Sequence, residues 1–190
     1  MTDINLTIIN NFLTHEQCQR IIKYASPHLT RSTLMSNKPG EYIEMSSRSS
    51  HGTFIHRTTD SFFEDISTKI SAVTNMPSSH QESFQFLKYD VNQEYKPHFD
   101  YFIKEYSNAL SRGGQRVKTA MIYLNTPTLG GETYFPYLHQ LVHAEEGKLV
   151  VWSNATLTGE PIVESMHGGM PVLNGVKYAL PIWIRQEPFI

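Results

Sequence analysis

His98-Phe99-Asp100 places a histidine and a carboxylate two residues apart near the middle of a 190-residue chain. If residues 95–102 are extended, side chains alternate between the two faces of the strand. His98 and Asp100 then point one way, and Tyr95, Pro97, Phe99 and Tyr101 the other. That pair supplies two of the three ligands of a 2-His-1-carboxylate metal site, which leaves coordination positions open for chemistry. The tripeptide alone is not specific. His80-Gln81-Glu82 and His143-Ala144-Glu145 fit the looser His-x-carboxylate pattern equally well.

A third ligand has to come from a distant strand, because a jelly roll gathers sequence-remote strands around one cavity. His167 is the candidate. Asn174-Gly175 predicts a hairpin, with His167 on its first arm and Lys177 on its second. On that second arm Lys177 and Trp183 share a face, opposite Val176, Tyr178, Leu180 and Ile182, unless Pro181 marks a bulge or an edge. A lysine turned into a sheet interior is costly without an anion to meet it. The other histidines lack such a lysine: ten residues after His143 stands Ser153, and ten after His139 stands Leu149. Zinc also accepts two histidines and an aspartate, so the ligands by themselves do not name the metal.

These residues need a frame. Thr14-His15-Glu16-Gln17 reads as a capping box, with Leu13 and Cys18 as the apolar staple, and predicts a helix over 15–25. Residues 31–52 are polar and punctuated by Pro39-Gly40 and serines, a long loop of the kind used as a lid. A short strand is expected over Thr53–Arg57. Phe62, Ile66, Ile70 and Val73 predict a second helix over 60–74, capped by Asp60 and ended by Asn75-Met76-Pro77. After that the period changes to two. Strands are expected over Phe84–Tyr89, Tyr95–Phe102, Arg116–Leu124, Glu132–Phe135, Lys148–Trp152, Glu164–Leu173 and Val176–Ile184, with Ser107–Gln115 as a second loop. Two helices followed by many short strands indicate an α+β fold whose sheets form a sandwich or small barrel.

Composition sets the outer limits. The length suits one sizeable core, read as a single domain over 1–190. With 39% hydrophobic and 18% charged residues and a formal net charge of −2, the chain carries no basic footprint for nucleic acid. No apolar run reaches a membrane span, and the start lacks the pattern of a signal peptide. The single cysteine, Cys18, excludes an internal disulfide. The expectation is a cytoplasmic protein with no membrane partner.

His98-Phe99-Asp100, His167 and Lys177, in this order and spacing, resemble the Fe(II)/2-oxoglutarate dioxygenases, specifically the prolyl 4-hydroxylase catalytic domain. The resemblance runs over nearly the whole chain. It includes Phe12-Leu13-Thr14-His15-Glu16-Gln17-Cys18, Ser47-Arg48-Ser49-Ser50 and Gln85–Tyr89 with Tyr95-Lys96-Pro97-His98. It continues through Gly130-Gly131-Glu132-Thr133-Tyr134-Phe135-Pro136 and from Gly175-Val176-Lys177 to Trp183-Ile184-Arg185. The resemblance implies a double-stranded β-helix (jelly roll) with N-terminal helices packed on one sheet. It implies Fe(II) held by His98, Asp100 and His167, which form the catalytic centre. It implies 2-oxoglutarate with its C5 carboxylate on Lys177 and hydroxyl contacts from Tyr89 and Thr133, O2 as the second co-substrate, and ascorbate as reductant. Tyr95, Arg116, Trp183 and Arg48 fall on the substrate side. The implied reaction hydroxylates a proline within a peptide or protein, at C4, with succinate and CO2 as co-products.

The cysteines, the signal peptide and the separate peptide-binding domain of the secreted-pathway animal enzymes are missing, which argues against collagen as substrate. Two other readings stand beside the main one. The same chemistry could act on a free amino acid or another small molecule. A jelly-roll binding protein without catalysis is the reading from a different class, and the intact His98, Asp100, His167 and Lys177 argue against it.

Overall fold

A computed structural model describes residues 4–32, 34, 35, 42, 43, 47, 49–103 and 107–190. Strand β1 (Thr7–Ile9) leads into helix α1 (His15–Ala25), which starts as the capping box requires. The Gln17 amide donates to the Thr14 hydroxyl at 3.3 Å, and the Thr14 amide donates back to Gln17 Oε1 at 3.0 Å. Short strands β2 (Thr30–Arg31), β3 (Leu34–Met35) and β4 (Tyr42–Ile43) precede β5 (His51–Ile55), which lies two residues earlier than expected. Helix α2 (Ser61–Thr74) is capped by Asp60, which accepts from the Phe63 amide, and closes on Asn75 in the left-handed conformation.

The strands that follow are β6 (Phe84–Tyr89), β7 (Tyr95–His98), β8 (Arg116–Tyr123), β9 (Leu129–Gly130), β10 (Thr133–Phe135), β11 (Gln140–Val142), β12 (Leu149–Ser153), β13 (His167–Gly169), β14 (Val172–Asn174) and β15 (Lys177–Arg185). One turn of helix, α3 (Ser107–Leu110), interrupts the expected loop before β8. A seven-stranded sheet runs β1-β12-β8-β15-β6-β5-β2, and a four-stranded sheet runs β11-β10-β13-β7. All pairings in both are antiparallel. This is the jelly roll expected from the sequence.

The large sheet is covered on both faces, and its strands show why. On β15, Leu180, Ile182 and Ile184 join Phe84, Phe86 and Ile122 against Ile21, Phe63, Ile66 and Ile70 of the two helices. Each such fully buried side chain contributes roughly 1.5–3 kcal/mol. The alternate residues of the same strands (Ala179 on β15, Met121 and Tyr123 on β8, Val150 and Trp152 on β12) face the small sheet, with Phe135 and Val142 opposite. The cavity opens in this second layer.

Three expectations need correction. The strand expected over 95–102 ends at His98, so Asp100 sits beyond it. The segment expected as one strand over 164–173 is a 3₁₀ turn (Val163–Ser165) followed by β13 and β14. Asn174-Gly175 does not join a hairpin: β14 pairs with β9, whereas β15 enters the large sheet between β6 and β8. The Asn-Gly turn is therefore a corner between sheets, and Gly175 adopts a φ of 86° there. Pro181 lies where the β15–β6 ladder breaks. Pairing stops at Ala179 and Leu87 and resumes, one residue out of register, at Gln81 and Ile184. The proline, which has no amide hydrogen to give, occupies the gap.

Candidate active site

Seventeen residues line a cavity of about 470 Å³ that is partly open to solvent, among them His98, Asp100, His167, Lys177, Tyr95 and Trp183. Tyr89 and Thr133 line it too. Alternation on β15 places Lys177, Ala179, Pro181 and Trp183 along one wall, as the sequence predicts.

His98 on β7 and His167 on β13 are direct cross-strand partners. One potential ligand atom each from His98, Asp100 and His167 lies within 4.8 Å of the others. Asp100 Oδ1 is 3.5 Å from His98 Nε2, and Oδ2 is 3.6 Å from His167 Nε2. Each imidazole has its Nδ1 against a backbone carbonyl, of Lys96 for His98 and of Ser165 for His167, both at 2.9 Å. Nδ1–H donates there, so Nε2 keeps its lone pair for the cavity, the arrangement that metal-binding histidines use. Burial drives His167 down to a pKa of about 4, against the pull of Asp100. Burial would raise the Asp100 pKa, but the charges of His167 and His98 outweigh it and hold the carboxyl well below its usual range. Two imidazoles and one ionised carboxylate form a donor set that fits a first-row divalent ion with open positions. The rival pairs are otherwise engaged. Glu82 accepts from Arg116, and Glu145 pairs with Lys148.

Lys177 stands at the far end, 3% exposed. Its Nζ lies 5.4 Å from the ring centres of both Tyr89 and Tyr123. Among the described residues no acceptor takes a hydrogen bond from it. Burial pushes its pKa down to about 8. A buried ammonium between two tyrosines, at the end of a slot, is a seat for a ligand carboxylate. Tyr123, which the sequence reading passed over, donates its hydroxyl to Thr133 Oγ1 at 2.6 Å. Its signal was available, because Tyr123 shares the inward face of β8 with Thr119 and Met121.

Strict alternation sets Tyr95 opposite His98, and this is overturned. The two rings stack with centroids 3.6 Å apart at 16°. The register explains it: His167 pairs with His98 and Gly169 with Tyr95, so β7 uses three steps where β13 uses two. That bulge at Lys96-Pro97 turns Tyr95 onto the face of His98.

Arg116 does not line the cavity. Its guanidinium grips Glu82 with two hydrogen bonds, Nε to Oε1 at 2.6 Å and Nη2 to Oε2 at 2.8 Å, and lies 3.6 Å over the Trp183 ring. It backs the wall that Trp183 presents. Trp152 is both core and wall, with its ring 4.6 Å from that of His167. Arg48 lies outside the described residues.

A jelly roll with two histidines, one aspartate and a buried lysine in a single cavity defines a class of metal-dependent oxygenase. Residues 84–185 match the 2OG-Fe(II) oxygenase superfamily. Prolyl 4-hydroxylase 5 of Arabidopsis thaliana is 34% identical over 205 residues, covering 96% of this chain and 68% of that protein. The viral collagen prolyl hydroxylase of Paramecium Bursaria Chlorella virus-1, solved as a 2OG complex, superposes with a TM-score of 0.76 at 26% identity over 95% of each chain. A prolyl hydroxylase from Trichoplax adhaerens shares the fold, with a TM-score of 0.68 at 15% identity over 96% of this chain and 84% of that one. The chain belongs to the 2OG-Fe(II) oxygenase superfamily and, within it, to the prolyl 4-hydroxylases.

Proposed function

We propose that this protein hydroxylates proline within a peptide or protein chain, at C4, using Fe(II), 2-oxoglutarate and O2. The observation that carries the reading is the coexistence, in one cavity, of the His98–Asp100–His167 donor set and a buried ammonium at Lys177 that finds no hydrogen-bond acceptor among the described residues. Iron with its co-substrates supplies the oxidising power that converts a C–H bond to an alcohol, with succinate and CO2 released.

The protein's own residues divide the remaining work. His98, Asp100 and His167 hold the ion, and the Nδ1 hydrogen bonds to Lys96 and Ser165 fix the rings. Lys177 takes the C5 carboxylate of 2-oxoglutarate, with Tyr89 and Thr133 beside it. Tyr95 and Trp183 border the space left for the prolyl residue, and Arg116 steadies Trp183. The apolar walls keep water from the reacting groups. Residues 1–190 act as one catalytic domain, and the lone buried Cys18 supports a reducing, cytoplasmic setting.

The test is a library of proline-containing peptides, collagen-like repeats included because the viral neighbour carries that name. It is incubated with Fe(II), 2-oxoglutarate and ascorbate and scanned by mass spectrometry for one added oxygen atom. His98→Ala, Asp100→Ala and His167→Ala should each abolish the product while the fold survives by circular dichroism. Conversion of free proline or another small molecule, with no prolyl peptide turned over, would replace the peptide reading. Full activity in His167→Ala would remove the triad.

A further inference from the structure

Behind Asp100 runs a short chain of buried hydrogen bonds. Thr119 Oγ1 lies 2.6 Å from Asp100 Oδ2, and Asn154 Nδ2 lies 2.7 Å from Thr119 Oγ1. Thr119 is 1% exposed and Asn154 is wholly buried. Proton positions follow from the groups themselves. An ionised carboxylate only accepts, so the Thr119 hydroxyl gives its single hydrogen to Asp100 and accepts from the Asn154 amide. That assignment also orients the side-chain amide and leaves Asn154 Oδ1 buried with no hydrogen-bond partner among the described residues.

Three remote segments meet here. Thr119 sits on β8, where it pairs with Trp152 of β12 and Trp183 of β15. Asn154 follows β12, and its amide is anchored to the Val117 carbonyl at 2.9 Å. Asp100 lies past the end of β7, where no strand ladder holds it. The hydroxyl of Thr119 therefore ties this carboxylate to the large sheet by a direct hydrogen bond.

We propose that Thr119, backed by Asn154, is a positioning residue that reserves one oxygen of Asp100, so that the carboxylate offers a metal ion a single oxygen. This rests on the metal-site reading above. Oδ2 accepts the charge-assisted bond from Thr119 and lies 3.6 Å from His167 Nε2, while Oδ1, with no such donor on it, lies 3.5 Å from His98 Nε2. A carboxylate free to rotate could present both oxygens and close a position. Chelation by 2-oxoglutarate and binding of O2 together need three. Polarisation by Asn154 strengthens the Thr119 donor.

The test measures Co(II) binding to the apo-protein by calorimetry, with the visible spectrum of the bound cobalt recorded before and after adding 2-oxoglutarate. Wild type should bind one equivalent and His167→Ala none. Folded Thr119→Val, close in shape but without the hydroxyl, should bind about 10- to 100-fold more weakly, the usual cost of losing such a supporting contact. Its cobalt spectrum should also respond differently to 2-oxoglutarate. Thr119→Ser should restore affinity and spectrum. Asn154→Ala keeps the hydroxyl and should lose less, and it decides the matter if Thr119→Val does not fold. Failure of wild type to bind Co(II) would overturn the metal site itself. Tight binding by wild type, with the same affinity and spectrum in Thr119→Val or in the deciding Asn154→Ala, would overturn only the positioning role. Thr119→Ser as weak as Thr119→Val would reduce the effect to packing and overturn it too.

Discussion

Tyr95 stacks on His98, ring on ring, because a bulge in β7 adds one residue opposite Gly168. The bulge needs that glycine. A Cβ on Gly168 would come within 2.9 Å of the Pro97 nitrogen, 3.0 Å of the Tyr95 carbonyl oxygen and 3.2 Å of the Lys96 carbonyl carbon. All three are backbone atoms and cannot swing aside.

Gly168→Ala should therefore destabilise the protein by about 1–3 kcal/mol, the ordinary cost of overpacking. It should also weaken metal binding, because His98 and its neighbour His167 share the disturbed ladder. Urea denaturation of the apo-protein and metal titration check the two effects separately. Unchanged values in both would mean that β7 accommodates the methyl group and that the bulge does not set the site.

Lys177→Ala should raise the 2-oxoglutarate concentration needed for half-saturation about tenfold to more than a hundredfold. A hydrogen bond to a charged group is worth roughly 1.5–3 kcal/mol. Metal affinity should stay near that of wild type, because Lys177 is not among the three candidate ligands. Lys177→Arg keeps the charge on a longer, flatter head group and should recover only part of the affinity. Co-substrate titration of each variant gives the answer.

The same lysine makes a pH prediction. Its folded pKa, about 8, lies below the ordinary lysine value of 10.5 because burial disfavours the cation. The unfolded chain therefore binds more protons between these two values, and the lysine's contribution to stability rises with pH across that window. Below about pH 8 the penalty is present in full, on the order of 3 kcal/mol. Lys177→Met should stabilise the apo-protein at pH 7 and lose most of that advantage near pH 10. Affinity for 2-oxoglutarate should run the other way in wild type, weakening above pH 8, with proton uptake visible by calorimetry in buffers of different ionisation heat.

Glu82 binds Arg116 through both carboxylate oxygens and lies 3.4 Å from Arg185 Nε. Glu82→Gln leaves two largely buried guanidiniums without their carboxylate and should cost about 3–5 kcal/mol. Because Arg116 supports Trp183, the KM for a prolyl peptide should rise while that for 2-oxoglutarate holds. Equal changes in both KM values would mean that Glu82 serves the fold alone.

Features that rest on neighbours along the chain were legible in the residues alone. Thr14 and Gln17 are three residues apart, so their reciprocal cap was legible, as were Asp60 and Asn75 at the two ends of α2. Alternation along β15 put Lys177 and Trp183 on one face without any knowledge of what lay across from them. His98, Asp100, His167 and Lys177 were legible as candidates, because ligand chemistry restricts residue types, and the fold brings them to one cavity. Tertiary structure decided what depends on register between remote strands. Tyr95 changes face only because β7 bulges against β13, and a bulge is a property of a pair. The Asn174-Gly175 corner joins two sheets because β15 finds better partners in β6 and β8 than in β14. Thr119 and Asn154 lie far from Asp100 along the chain, and they meet it only where β8, β12 and the end of β7 converge. Burial then sets the charges: the depressed pKa values of Lys177 and His167 arise from desolvation that no linear pattern encodes.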